Sequence, residues 1–191
     1  MRFDVLKFLA LGVLFCTTLE VNGRQTKESD KVAEIVTNFY QWYFDLIENK
    51  RMDRLYPSFT KTSDGMTTLD FTTYRRELLK HSFDSVFVEE SVKGYDICST
   101  NLKKIPYETF LTLQDLDDFE SIECAFSNKY EWIPGMEPFA GFKVLQPYFV
   151  NNSSATIKVV FIDAGEKEPK SSAIISVIND GNRWLINKIE F

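Results

Sequence analysis

The stretch from Phe142 to Phe191, FKVLQPYFVNNSSATIKVVFIDAGEKEPKSSAIISVINDGNRWLINKIEF, decides the fold. Its apolar period is two, and β-branched and aromatic residues dominate it, which is the pattern of strands with one buried face. Phe142, Val144, Gln146, Tyr148 and Val150 alternate with Lys143, Leu145, Pro147 and Phe149, and Asn151 to Ser154 make a turn. A strand over Ala155–Ile162 follows, then a charged loop over 164–170 with Gly165 and Pro169, then a strand over Ser172–Ile178. Asn179, Asp180, Gly181 and Asn182 form the strongest hairpin signal in the chain, because Asn, Asp and Gly tolerate the positive φ of such turns. The last strand, Arg183 to Phe191, sets Trp184 and Ile186 on one face and Leu185, Ile189 and Phe191 on the other. This is an antiparallel meander.

Ahead of the meander the period is helical. Asp30 can cap a long helix whose Val32, Ile35, Val36, Phe39, Tyr40, Trp42, Tyr43, Leu46 and Ile47 recur at three- and four-residue steps. Asn49, Lys50 and Arg51 close it, with cations where the helix dipole favours them. Met52 to Met66 reads as a short helical turn plus loop. A second helix begins near Leu69 to Thr73 and runs through Tyr74, Leu78, Leu79, Phe83, Val86 and Phe87 to a stop at Gly94. Pro106 opens a short helix through Phe110 and Leu113, and Asp115, Asp117 and Asp118 read as a solvated turn. Helices first and a meander last predict an α+β fold, in which a curved antiparallel sheet wraps around the first helix. The Phe39, Trp42 and Tyr43 face of that helix is expected to pack against the sheet.

The first 23 residues read as an export signal. Arg2 and Lys7 precede an apolar run from Phe8 to Leu19, and Val21, Asn22 and Gly23 suit a signal-peptidase site before Arg24. The run is shorter than the ~20 apolar residues of a membrane span. A rival reading makes Cys16 the acylated first residue of a lipoprotein, but Phe15 stands where such signals carry a small side chain. Residues 24–29 are expected to be a flexible polar stretch and 30–191 a single domain. The leader's Arg2 and Lys7 cancel Asp4 and Glu20, so its removal leaves the net charge at −6. That balance argues against nucleic acid and anionic membrane as partners, since both need clustered Lys and Arg. With 44% hydrophobic residues and 17 Phe, the chain has the material for a substantial core.

Cys98 and Cys124 remain after the leader is removed, an even pair in a chain bound for an oxidising compartment. They read as a disulfide closing a loop worth roughly 3 kcal/mol, or as two buried thiols.

The aromatic helix with Phe39, Tyr40, Trp42 and Tyr43, the meander from Phe142 onward and the terminal Arg183, Trp184, Leu185, Ile186, Asn187, Lys188, Ile189 carry a resemblance. Across most of residues 30–191 the chain resembles the cone-shaped α+β fold of the nuclear-transport-factor and ketosteroid-isomerase superfamily. Within it, the chain is similar to small exported bacterial proteins of unknown function; Tyr95 to Ile122 is not specific to the resemblance. The resemblance implies helices in the concave face of the sheet, and it implies a fold more firmly than an activity, because this cone hosts enzymes, receptors and passive domains.

The chemistry-bearing residues form no motif. The lone His81 sits beside Lys80, and one His with two distant Cys lacks the spacing of a zinc site. There is no G-x-S-x-G elbow. Asp115, Asp117, Asp118 and Glu120 do not make a calcium loop, because Glu120 stands where an EF-hand turns on Gly. The Asn-x-Ser pairs at Asn151 and Asn152 matter only in a host that glycosylates exported proteins, and are otherwise turn chemistry. Cone-fold isomerases and dehydratases use an acid or base and hydrogen-bond donors at an apolar mouth, and Tyr40, Tyr148, Glu131 and Asp163 are the residues able to supply such groups. Tyr43, within the Phe39–Phe44 aromatic cluster, is a further pocket candidate, although a core helix explains that cluster without a ligand. No cofactor is expected. The sequence points to an exported, periplasmic or secreted, non-enzymatic binding or interaction domain for a protein partner or a small hydrophobic ligand. The alternatives are a cone-fold enzyme acting on a small hydrophobic substrate, and an inhibitor of a cell-wall-directed toxin.

Overall fold

Val32, Val36, Phe39, Tyr40, Tyr43 and Leu46 are all fully buried, so the helix that carries them touches protein on more than one side. In the computed structural model, which describes residues 5–128, 130–135, 139–165, 168 and 171–191, this helix, α1, spans Val5–Glu48. The first four residues and the side chains of residues 5–25, Cys16 among them, lie outside the described residues. Asp30 is inside α1 rather than at its cap, and residues 24–29 are helical. Glu28 and Ser29 account for the difference. The Trp184 indole donates to Glu28 Oε2 at 2.7 Å, and Ser29 Oγ donates to Gln146 at 3.3 Å, tying this turn to the meander.

After α1 come a 3-10 turn over Met52–Arg54 and a hairpin of β1 (Ser58–Lys61) and β2 (Thr67–Asp70), where only a turn and loop were expected. The expected second helix is two, α2 (Thr72–Lys80) and α3 (Ser85–Lys93). Three short helices follow: α4 (Asp96–Leu102), α5 (Tyr107–Phe110, opened by Pro106 as expected) and α6 (Leu116–Ser121). Asp115 is solvent-exposed as expected, but it opens a helix. Its carboxylate accepts the Asp118 N–H at 3.0 Å and caps α6, with Asp117 and Asp118 in the first turn, where the helix dipole favours negative charge.

The breaks in the helical layer share one closure. At Lys50 (φ 54°), Ser82 (φ 64°) and Glu123 (φ 56°) the backbone is left-handed. In each case the next residue's N–H reaches back to a carbonyl in the preceding helical turn: Arg51 to Leu46 at 2.9 Å, Phe83 to Leu78 at 3.2 Å, Cys124 to Phe119 at 2.8 Å. This is the Schellman arrangement, here without glycine. Gly94, the expected stop, is right-handed at φ −57°. The break at Ser82 lets residues 82–84 turn to the sheet, where Ile186 N–H donates to Ser82 O at 2.7 Å and Asp84 N–H donates to Ile186 O at 2.8 Å.

The sheet has five strands: β3 (Gly141–Val144), β4 (Tyr148–Asn151), β5 (Ser154–Ile162), β6 (Ser171–Asn179) and β7 (Trp184–Glu190). β3 and β4 lie end to end along one edge of β5, and β5, β6 and β7 follow in order, all antiparallel; the ends do not meet, so the sheet is not closed. The single strand expected over Phe142–Val150 is divided around Pro147, which has no N–H for a ladder. The hairpin at Asn179–Asn182 forms as expected, with Gly181 at φ 99° and Asp180 Oδ1 accepting the N–H groups of Asn182 and Arg183. In β7 the register passes from Ile186 opposite Val177 to Lys188 opposite Ser176, leaving Asn187 as a bulge. The extra residue reverses the side-chain parity, so Ile189 sits opposite Ile175 on the face of Trp184 and Ile186, not on the face expected for it.

α1 lies between this sheet and the other helices. Tyr40 packs on Phe142 and Phe161, with ring centroids 5.6 and 5.4 Å away, above a floor of Ala155, Ile157, Val159, Ala173, Ile175 and Val177, all buried. The Phe39, Trp42 and Tyr43 side faces the helical layer instead of the sheet. Phe39 meets Phe83 at 4.8 Å and Trp132 at 6.3 Å, and Trp42 stacks on His81 at 4.0 Å. Among the described residues no helix is long and apolar enough to cross a membrane.

Candidate functional site

The segment Tyr130–Glu131–Trp132–Ile133 places an acid between two aromatic residues, and the flanking side chains fix where that acid goes. Trp132 is buried against Phe83 (5.5 Å) and Phe87 (5.8 Å), its backbone N–H donates to Tyr43 Oη at 3.4 Å, and Ile133 is buried beside it. With Trp132 and Ile133 pinned, the Glu131 carboxyl is directed towards two tyrosines of the helical layer. Tyr74, on α2, donates to both of its oxygens at 3.3 Å, and Tyr95, ahead of α4, donates to Oε2 at 3.4 Å.

Around this carboxyl the rings of Tyr74, Tyr95, Phe126 and Tyr56 form a chain of edge and tilted contacts at 5.8, 4.9 and 5.9 Å. Tyr95, Phe126 and Tyr56 border a cleft of about 960 Å³. Its walls include Tyr56, Tyr95, Cys98, Phe126, Tyr130 and Glu131, and the exposed Leu116, Glu120, Glu123 and Phe191 stand at its mouth. Cys98 on α4 is bonded to Cys124 at the end of α6, with Cα atoms 4.9 Å apart. The bridge fastens one wall of the cleft to the segment that carries Phe126 and Glu131. The pairing is the disulfide alternative of the two that the sequence left open.

Burial pushes the Glu131 carboxyl up to about 7, against the lowering effect of the bonds from Tyr74 and Tyr95. Burial first, and then the nearby negative charge of Glu131, push Tyr56, Tyr74 and Tyr95 well above the ordinary phenol range. These hydroxyls therefore remain donors at every physiological pH, while the half-buried Glu131 changes charge near neutrality. No cation among the described residues forms an ion pair with it. The arrangement can exchange a proton at neutral pH, or hold a ligand with an apolar body and a polar or charged head.

Of the five pocket candidates read from the sequence, only Glu131 lines the cleft. Tyr40 is fully buried on the sheet side of α1, and its hydroxyl has no hydrogen-bond partner among the described residues. Tyr43 is a core residue spent on the Trp132 N–H. Tyr148, opposite Thr156, points away from the core and is 72% exposed. Asp163 is half-buried after β5, away from the cleft's walls. Tyr56, Tyr74, Tyr95 and Phe126 were not read as site residues; the available signal was the carboxylate inside the apolar run Tyr130–Ile133, which marks a buried acid in need of donors. Among the described residues no three His, Cys, Asp or Glu side chains converge to hold a metal ion. No protein family matches the chain, and neither a curated protein nor a solved structure does.

Proposed function

We propose that this protein is an exported, non-enzymatic binding domain that holds a small organic molecule in the Glu131 cleft. The carrying observation is an open, aromatic-walled space with a single inward acid supported by two tyrosine hydroxyls. The location rests on the leader, with cleavage after Gly23, and the disulfide is compatible with an oxidising compartment. Such cleavage removes none of the contacts made by Glu28 and Ser29. The resemblance to the cone fold belongs to the same proposal, with α1 resting in the hollow of a curved sheet.

The test is titration with a neutral apolar fluorophore, N-phenyl-1-naphthylamine. Saturable one-to-one binding by the wild type, lost in a variant whose cleft is filled by Ala125→Trp at unchanged melting temperature, supports the reading. Absence of saturable binding, or equal binding by the filled variant, refutes it. A second reading, acid–base catalysis on a small hydrophobic substrate, draws on the Glu131 carboxyl titrating near 7 beside hydroxyl donors.

A further inference from the structure

We propose that the cleft selects an organic cation, an alkyl- or arylammonium group seated against the Glu131 carboxylate among the rings of Tyr56, Tyr95 and Phe126. The proposal rests on the binding reading and names the chemical class of its ligand. Three observations carry it. First, the cleft is lined by three carboxylates, Glu120, Glu123 and Glu131, and by no Lys or Arg among the described residues. An anionic ligand meets repulsion at the mouth and again at the floor, in a chain whose net charge of −6 adds a field of the same sign. Second, the walls are aromatic. Tyr95 and Phe126 meet edge to face at 4.9 Å, and Tyr56 tilts on Phe126 at 5.9 Å, presenting ring surface to the space. Ring faces attract ammonium groups most strongly where water is excluded.

Third, no cation among the described residues forms an ion pair with Glu131. Its hydrogen bonds come from neutral phenols at 3.3–3.4 Å, longer than the usual charge-assisted bond. A neutral occupant would deepen the desolvation of this carboxyl without compensating its charge, whereas a cation supplies the missing counter-charge. Charge sign and wall chemistry thus point to the same class of ligand.

Binding of a permanent cation also depends on the state of the carboxyl. Among the described residues the titratable groups facing or bordering Glu131 are Tyr74 from α2, Tyr95 ahead of α4, Tyr56 ahead of β1, Tyr43 from α1, Tyr130 beside it, and Glu120 and Glu123 from α6 and its end. The hydroxyls of Tyr56, Tyr74 and Tyr95 stay protonated throughout. Affinity for a cation therefore rises with pH as Glu131 ionises.

The experiment compares benzyltrimethylammonium, 3-phenyl-1-propanol and 3-phenylpropanoate by calorimetric titration of the full protein at pH 8, and repeats the cation at pH 5. The expected result is at least tenfold tighter binding of the cation than of the alcohol, no measurable binding of the carboxylate, and a tenfold or greater loss for the cation at pH 5. Glu131→Gln is expected to erase the preference for the cation while the alcohol still binds. Equal binding of cation and alcohol overturns this proposal and leaves the binding reading standing. Failure of all three ligands, together with the neutral fluorophore, overturns both. Retention of the preference in a folded Glu131→Gln variant overturns the assignment to Glu131, and the wild-type comparison decides the question of ligand class without any variant.

Discussion

The two sides of α1 are built from different materials. On the sheet side, Tyr40 meets Phe142 and Phe161 over a floor of Ala, Ile and Val that is closed to solvent. On the helical side, the layer beyond Phe39 and Trp132 opens into a cleft walled by tyrosines and holding a carboxyl with no counter-charge among the described residues. The first arrangement gains stability from nearly every buried atom. The second gives some back, because a carboxyl taken out of water must be partly neutralised or carry a desolvation cost. Closed packing and an open cleft thus lie on opposite sides of one helix.

That division can be broken by substitution. Phe161→Ala on the sheet side is expected to cost about 3 to 5 kcal/mol in chemical denaturation, because it opens a cavity in closed packing. A loss below about 1 kcal/mol would contradict the dry interface. Cutting the disulfide with Cys98→Ser and Cys124→Ser together should cost roughly 3 kcal/mol through the closed loop of 26-residue separation. It should also weaken fluorophore binding in the cleft, since the bridge holds its wall; unchanged affinity in the folded double variant would detach the bridge from the site.

Glu131→Gln carries a sign as well as a size. The folded-state carboxyl sits at about 7, above the ordinary 4.5, so its contribution is intact below about pH 4.5 and is lost as the pH rises through 7. The variant should match the wild type near pH 4.5 and exceed it by about 3 kcal/mol at pH 8, read from melting curves across that range. A variant less stable than the wild type at pH 8 would show that the carboxylate is already compensated. Smallest of the four is Tyr40→Phe. Its hydroxyl is buried without a partner among the described residues, so removal should change stability by less than about 1 kcal/mol, upward if at all. A loss of several kcal/mol would mean that the hydroxyl is satisfied.

The contrast also explains what was legible. The sheet could be read because half-buried strands advertise themselves by alternation, and the Asn179–Asn182 turn by its residue types. Its errors came from single residues that interrupt the period: Pro147 divides one strand, and Asn187 reverses the parity of another. In the helical layer the ends at Asn49–Arg51 and at Gly94 were legible, whereas the breaks at Ser82 and Glu123 were not, because they are held left-handed by backbone bonds that composition does not advertise. The cleft was the least legible part. Tyr56, Tyr74, Tyr95 and Glu131 come from separate elements with no common spacing, and only the fold brings them together. Cys98 and Cys124 were the exception, because an even pair in a chain read as exported restricts the possibilities by itself.

The break at Ser82 has a consequence beyond the layer it interrupts. A last strand with free N–H and C=O groups is a template on which a second chain can add its own strand, the first step towards aggregates. Here residues 82–84 occupy the Ile186 position of that edge with two short backbone bonds, the bulge at Asn187 twists the next position, and the charged Lys188 and Glu190 stand along the remainder of the strand. The interruption of a helix thus serves as a guard on the sheet, closing part of an edge on which another strand could add.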